Sequence, residues 1–149
     1  MKSIDGRAQG VVGKTVEECF ELVADVERYP RWTGEIVREV EVLEWGSGRR
    51  PALARIKLHV AQSPLNKDFE FHAAIETRPP GIVLITRRPN ETSDREKLEL
   101  EWHLSEADGT QIELQFRAAT PLLPSFAPLF GVGDEIAQTI LGCAVVALG

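Results

Sequence analysis

Two polar residues, Arg38 and Thr86, are the candidates for chemistry in the interior of this chain. Arg38 alternates with Ile36, Val40 and Val42 along one face of a predicted strand, and Thr86 follows an apolar run. An arginine pointing inward could bind a carboxylate, carbonyl or enolate oxygen, and the Thr86 hydroxyl could orient the same group. The alternative, which we favour, is an edge arginine whose stem packs while its head reaches water.

The histidines, His59, His72 and His103, give little support to acid–base or metal chemistry. Each falls on the polar face of a predicted strand, where a solvated imidazole is the ordinary arrangement. The sequence has no HxxxH or CxxC spacing, no glycine-rich phosphate loop and no GxSxG elbow. We therefore expect no metal and no cofactor. The sequence favours a protein without enzymatic activity, although a cyclase or dehydratase activity stays an alternative.

Alternation of apolar and polar residues assigns two faces to each predicted strand. In the segment 97–104, Leu100 and Trp102 share one face, while Glu99 and Glu101 share the other. The other predicted strands repeat this pattern, so their titratable groups are expected on the solvent side. The inner face is then aromatic and aliphatic, which suits an apolar ligand better than acid–base catalysis.

The totals describe an ordinary globular chain. Its 149 residues suit one domain, predicted to span residues 1–149. The net charge of −6 argues against nucleic acid or an anionic membrane as the main partner, because both require a basic surface. No apolar signal segment begins the sequence, and Cys19 and Cys143 lie in apolar helical patterns typical of free buried thiols. We expect a cytoplasmic protein.

The N-terminal elements are a predicted strand and a helix. In the segment 3–12, the small residues from Gly6 to Gly10 share one side, so another element can pack close to the backbone. Thr15 followed by Glu18 is a capping box, which predicts a helix ending near residues 25–26.

The dipeptide Tyr29-Pro30 predicts a break after this helix, since a residue before proline avoids the α region. A second short helical turn is expected at 31–34. From residue 35 the apolar period changes to two, and short turns make sequential strands antiparallel neighbours. The predicted strands cover 35–45, 52–61, 68–77, 82–87, 97–104 and 111–119.

The C-terminal stretch, residues 122–148, is apolar apart from Asp134 and Glu135. A regular helix is predicted to begin near Pro128, and it is too short and too glycine-rich for a membrane span. A helix that is apolar nearly all round has to be enclosed. We expect the sheet to wrap round it and to hold a small apolar molecule.

Residues 120–130 are very apolar for a connection between elements. They either cap one end of the cavity or form a lid that opens to admit a ligand. A lid could also make transient contact with a membrane or a carrier protein, through Leu122, Leu123, Phe126 and Leu129.

The stretch Asp25-Val26-Glu27-Arg28-Tyr29-Pro30-Arg31-Trp32 resembles the START-like polyketide cyclase/dehydrase and lipid-transport superfamily (SRPBCC). In that superfamily a helix typically ends in an aspartate before a Tyr-Pro or Tyr-x-x-Trp break. Arg78-Pro79-Pro80 between two strands, Trp102 on the sixth strand and Gly109-Thr110 before the last strand match as well.

The resemblance implies an α+β helix-grip fold. A curved seven-stranded antiparallel sheet surrounds a long C-terminal helix, two short helices follow the first strand, and a ligand cavity lies between sheet and helix. The run 23–30 looks most like the coenzyme Q-binding branch. Arg31-Trp32-Thr33-Gly34, however, replaces the Phe-Leu-Pro-Trp-like stretch usual in that branch.

We interpret the chain as a carrier or binding protein for a hydrophobic small molecule, such as a lipid, a quinone or a polyketide-like compound. One alternative is a polyketide aromatase/cyclase or dehydratase-like enzyme, in which Arg38 and Thr86 orient a polyketone. Another is a protein-interaction module of the ribosome-association toxin type. The predicted ligand-binding residues are Trp32, Arg38, Val40, Ile56, Leu58, Phe69, Phe71, Ala73, Leu84, Leu100, Trp102, Leu114, Phe116, Phe126, Phe130, Ile136 and Ile140.

Overall fold

The computed structural model describes residues 2–62, 65–90, 95–120 and 131–149. In chain order, its helices and strands are β1 (Lys2–Val12), α1 (Val16–Ala24), α2 (Tyr29–Trp32), β2 (Val37–Trp45), β3 (Pro51–Gln62), β4 (Leu65–Arg78), β5 (Ile82–Arg87), β6 (Lys97–Ala107), β7 (Gly109–Thr120) and α3 (Val132–Leu148). Short 3₁₀ turns at Val26–Arg28 and Ser47–Arg49 complete the order.

The seven strands form one curved antiparallel sheet in the order β1-β7-β6-β5-β4-β3-β2. Strands that follow one another from β2 to β7 are neighbours, and β1 pairs with β7 from the far end of the chain. The helices cover the inner face, where alternate strand residues are buried. This arrangement confirms the α+β helix-grip fold that the sequence predicted.

The capping box begins α1 as predicted. The Thr15 hydroxyl accepts a hydrogen bond from the Glu18 backbone N–H at 3.1 Å, and the Glu18 carboxylate accepts one from the Thr15 N–H at 3.3 Å. Each bond satisfies a donor that a helix N-terminus leaves without an internal partner. One face of α1, which includes Cys19 and Phe20, is buried against the sheet.

The prediction that Tyr29-Pro30 interrupts the helical conformation was wrong. Tyr29 is helical, with φ −51° and ψ −40°, and Pro30 lies in the first turn of α2. Proline fits there because a backbone N–H in the first turn of a helix has no acceptor within the helix, so its absence removes no hydrogen bond. The chain changes direction earlier, at Asp25, where ψ is 78°.

The small residues of β1 allow α3 to approach that strand closely. The backbones of Gly6 and Gly133 are in contact, and a side chain on either residue would overlap the other strand or helix. The Arg7 N–H also donates to the Asp134 carboxylate at 2.9 Å, in the first turn of α3. The described part of α3 begins at Val132, and the predicted start at Pro128 lies outside the described residues.

Among the described residues, no helix is long and apolar enough to cross a membrane. Cys19 and Cys143 are free thiols, as predicted, with Cys19 fully buried and Cys143 partly exposed.

Candidate functional site

An apolar cavity of about 40 Å³ lies on the inner face of the sheet. Its apolar lining comes from β1, β3, β4, β6 and β7 and consists of Ile4, Leu58, Val60, Phe69, Phe71, Leu98, Phe116, Ala118 and Ala119. The charged residues at its wall are Glu70, Arg87, Glu96 and Lys97. The cavity therefore combines an extended apolar surface with a few charged residues at its wall.

A second space of about 20 Å³ adjoins this cavity and is lined by apolar and aromatic residues. Leu58, Phe71 and Leu98 line both spaces, so these side chains form the partition between them. The remaining lining residues of the second space are Tyr29, Val37, Ile56, Ile85 and Leu100.

An opening of about 220 Å³ lies between β3 and α3. Ile36, Val60 and Ile136 supply its apolar surface, and Glu35 and Thr139 supply polar groups. Val60 also lines the inner cavity, so the opening and the cavity share a wall. His59 and Ala61 also line the opening.

The inner spaces are small compared with a lipid or a polyketide. A space of this kind needs roughly 10–15 Å³ to hold one water, so the inner cavity and the space beyond the partition together hold only a few. A larger ligand has to displace the partition side chains Leu58, Phe71 and Leu98.

Arg87 is a charged residue on the inner face of the sheet. Its side chain is only 9% exposed, its Nη1 donates to the Glu96 carbonyl oxygen at 3.0 Å, and its Nη2 lies 3.7 Å from the Glu96 carboxylate. A buried cation is costly unless hydrogen bonds and opposite charge compensate it. The Glu96 contacts supply part of that compensation at the cavity wall.

Arg87 was not predicted at the site, because its position close to Pro89 indicated the rim of a loop. The residues from Ile82 to Ile85 are all apolar, so β5 shows no alternation of its own. In the structure Val83 and Ile85 are buried, and counting in twos places Arg87 on the same face. Its partner in β4 is Ala73, which is fully buried.

The same register shows that Leu84 and Thr86 were assigned to the wrong face. Leu84 pairs with Glu76 of β4 and Glu101 of β6, and Thr86 pairs with Ala74 and Glu99. These partners belong to the outer face of the sheet. Neither Leu84 nor Thr86 is among the residues that line the cavity or the adjoining space.

Arg38 also lies away from the cavity, which fits the favoured interpretation of an edge arginine whose head reaches water. The pairing of β2 with β3 shifts between Val37 and Glu39, and Arg38 is the extra residue at that bulge. Its side chain is 40% exposed, 3.7 Å from the Glu35 carboxylate and 4.0 Å from that of Asp68.

The other predicted ligand-binding residues fall into groups. Those that line the cavity, the adjoining space or the opening are Ile56, Leu58, Phe69, Phe71, Leu100, Phe116 and Ile136. Those that are in or against the core without lining these spaces are Trp32, Val40, Ala73, Trp102, Leu114 and Ile140. Phe126 and Phe130 lie outside the described residues, as do Leu122, Leu123 and Leu129.

An aromatic cluster lies under the adjoining space. The ring centroids of Tyr29 and Trp32 are 4.7 Å apart, and those of Trp32 and Trp102 are 6.4 Å apart. The Tyr29 hydroxyl donates to the Val23 carbonyl oxygen at 2.5 Å. Burial raises the pKa of Tyr29 well above its usual range, although the neighbouring Trp102 acts in the opposite direction. Tyr29 is therefore a buried phenol that donates to Val23 and stays protonated at ordinary pH.

The family model described as polyketide cyclase / dehydrase and lipid transport matches residues 12–141. The chain belongs to this family. No curated protein sequence matches it significantly. The resemblance drawn from Asp25 to Trp32 is thus confirmed for the polyketide cyclase/dehydrase and lipid transport family, whereas the coenzyme Q-binding branch stays a prediction.

Solved structures show how widely this family's fold is shared. A START superfamily protein from Mycobacterium smegmatis matches 97% of this chain with 95% of its own, at 15% identity and a TM-score of 0.72. A protein from Thermus thermophilus matches 97% with 99% of its own, at 18% identity and a TM-score of 0.66. The Zhui aromatase/cyclase from a Streptomyces species matches 98% with 86% of its own, at 19% identity and a TM-score of 0.64. At these identities, the likeness shows the fold alone.

Proposed function

We propose that the chain binds a hydrophobic small molecule, such as a lipid, a quinone or a polyketide-like compound, as a carrier or binding protein. The observation that carries this proposal is the continuous apolar lining from the opening beside α3, through Val60, to the cavity and the space beyond Leu58 and Phe71. Ligand sites in proteins are typically concave, largely apolar and supplied with few polar groups.

Apolar burial alone can supply useful affinity here. Burying roughly 300 Å² of apolar ligand surface at about 25 cal/mol per Å² gives about 7 kcal/mol before losses. Immobilising the ligand and moving the partition side chains consume part of this free energy. Affinities in the micromolar range are therefore expected for a well-fitting apolar molecule.

The test is a substitution that places a larger side chain in the cavity. Ala118 of β7 lines the cavity, so Ala118→Phe should fill the space and weaken binding of the neutral apolar dye N-phenyl-1-naphthylamine by about tenfold or more. Ala74→Phe is the matched control, because Ala74 lies on the outer face opposite Thr86. Fluorescence titration measures both affinities, and circular dichroism confirms that both variants fold.

Two results would contradict the proposal. The wild-type protein could fail to bind the dye and release no apolar molecule on organic extraction after gentle purification. Alternatively, a folded Ala118→Phe variant could bind the dye as tightly as the wild type and the Ala74→Phe control.

A polyketide aromatase/cyclase or dehydratase-like activity is the second candidate, because Arg87 places a cation at the cavity wall. The likeness to the Zhui aromatase/cyclase makes it worth testing. Intramolecular aldol addition of a polyketone, followed by loss of water, builds up negative charge on an enolate oxygen that a guanidinium can stabilise. Mass spectrometry of a triketone mimic should then show a cyclised product lighter by one water, and Arg87→Met should abolish it. Absence of that product with the wild type would remove this candidate.

We also infer that residues 1–149 act as one ligand-binding domain, since the seven strands belong to one sheet with a common core. The cytoplasmic location, the membrane or carrier contact and the interaction-module alternative remain predictions.

A further inference from the structure

Three apolar side chains separate the cavity from the adjoining space in the described part of the chain. Leu58 of β3, Phe71 of β4 and Leu98 of β6 line both spaces. Leu58 and Phe71 are only 3% and 6% exposed, and Leu98 is partly buried against the core. These side chains have no polar atoms, so packing alone holds the partition in place.

The space beyond the partition offers little to a ligand. Its volume of about 20 Å³ is room for roughly one or two waters, so only the small end of an apolar chain fits there. To enter it, a molecule has to displace the ring of Phe71 or one of the two leucines. Side chains in a close-packed interior have no free room to move into, and their many small dispersion contacts are lost when they are displaced. More contacts are therefore lost than the end of a ligand can replace.

Resting on the function proposed above, we propose that Phe71, together with Leu58 and Leu98, sets the length of the ligand that the chain selects. The partition ends the apolar site, so a bound molecule extends from it through the cavity toward Val60 and the opening. The ligands selected are then short or medium-length apolar compounds. The further carbons of a long-chain lipid stay in the opening and in water, where they add little affinity.

Phe71 determines this specificity more than the two leucines do. Its phenyl ring is the largest side chain of the partition, and in the sheet it pairs with Ile56, which lines the space beyond. Truncation of Phe71 removes a ring between the two spaces and joins them. The site should then accept a longer apolar chain.

The experiment uses the 1-alkanols from 1-butanol to 1-dodecanol, which share one neutral head group and differ only in chain length. Displacement of N-phenyl-1-naphthylamine measures their affinities, with the affinity of the dye determined for each variant. A buried methylene strengthens binding about fourfold. The wild type should show this increase up to one chain length, its length limit, and an increase of less than about twofold per methylene beyond it.

Leu98 and Leu100 supply a matched pair of variants. They lie two residues apart on the inner face of β6, but Leu98 belongs to the partition and Leu100 lines only the space beyond it. Leu98→Ala should move the length limit to a longer alkanol. Leu100→Ala removes the same atoms behind an intact partition and should leave the limit unchanged. Phe71→Ala should move the limit furthest, and circular dichroism confirms that each variant folds.

If the truncated variants do not fold, leucine methyl NMR signals of the wild type decide the question. Leu98→Met and Leu100→Met conserve volume and assign these signals. Binding of 1-octanol should shift the methyl signals of Leu98 and leave those of Leu100 in place. Equal shifts of both would show that the ligand passes the partition.

Three results would overturn the role of the partition and leave the proposed function intact. Affinity for the wild type could rise steadily through 1-dodecanol, the limit could stay unchanged in Leu98→Ala and Phe71→Ala, or Leu100→Ala could move it as far as Leu98→Ala. Failure of the wild type to bind any alkanol or the dye would overturn the proposed function itself.

Discussion

Gly6 of β1 and Gly133 of α3 meet backbone to backbone, and each fits only because the other lacks a side chain. A β-carbon built on Gly6 would overlap the Gly133 carbonyl, and one built on Gly133 would overlap the Asp5 carbonyl. This contact fixes how closely the C-terminal helix approaches the sheet.

Gly6→Ala should destabilise the protein, since α3 or β1 has to move to accommodate the methyl group. Overpacking of this kind costs about 1–3 kcal/mol and sometimes more. Gly10→Ala is the control on the same strand, because its β-carbon would lie 3.7 Å from Leu141 in ordinary contact. Urea denaturation measures both, and equal stabilities of the two variants would show that the close approach has no energetic importance.

A second control lies within α3 itself. Gly142 has open space where a β-carbon would be, so Gly142→Ala should stabilise the helix by about 0.5–1 kcal/mol. Gly133→Ala, by contrast, should destabilise the protein although it makes the same substitution in the same helix. A stabilising Gly133→Ala would contradict the contact.

Tyr29, the single tyrosine of the chain, should not ionise while the protein is folded. Burial raises its pKa above the value of about 10 expected in the unfolded chain. Its contribution to stability is therefore complete below about pH 10 and is lost as the pH rises further. Phenolate absorbance should appear only together with the loss of circular dichroism. A reversible titration of the folded protein near the ordinary value would refute this assignment.

Tyr29→Phe tests the hydrogen bond to the Val23 carbonyl oxygen directly. Leaving a buried carbonyl without its donor should cost about 1–3 kcal/mol. Thermal unfolding of the variant measures the loss. An unchanged melting temperature would mean that the bond contributes nothing to stability.

The two thiols should react slowly and in a fixed order. Burial raises the pKa of Cys19 and of Cys143, which lowers the fraction of reactive thiolate at a given pH. Cys143 is partly exposed and should react first with Ellman's reagent, whereas Cys19 should react only after unfolding. Native Cys143→Ser should therefore show no rapid labelling. Rapid labelling of that variant would place Cys19 at an accessible position.

Asp68 on the outer face should stay ionised to unusually low pH. The hydrogen bond from His59, at 2.6 Å, lowers the pKa of Asp68, and the nearby Arg38 lowers it further. The resulting stability is present above the pKa of the unfolded carboxyl and is lost as the pH falls through the folded one. Carboxyl NMR titration of His59→Ala should show the Asp68 pKa rising toward its usual value. Arg38→Gln should give a smaller rise, and an unchanged pKa in His59→Ala would refute the pairing.

Much of the fold could be read from local pattern. The capping box at Thr15, the strand alternation around Trp102 and the small residues of β1 each act through neighbours along the chain or through one face of an element. Their consequences, a helix start, an inner face and a close approach, follow from backbone geometry and side-chain period. Strand alternation also predicted an apolar inner face with Leu58, Phe71 and Phe116 on it, short turns predicted antiparallel neighbours, and the family resemblance implied the helix-grip sheet.

Only the tertiary structure decided which charge reaches the cavity. The apolar run in β5 has no alternation, so its register against β4 and β6 sets which residues point inward, and that register brings in Arg87 and excludes Leu84. The bulge at Arg38 likewise depends on pairing with β3. Leu58, Phe71 and Leu98 separate the two inner spaces only because strands that are distant in the sequence pack together. Register and packing are relations between segments far apart in the chain, and a local sequence pattern carries no record of them.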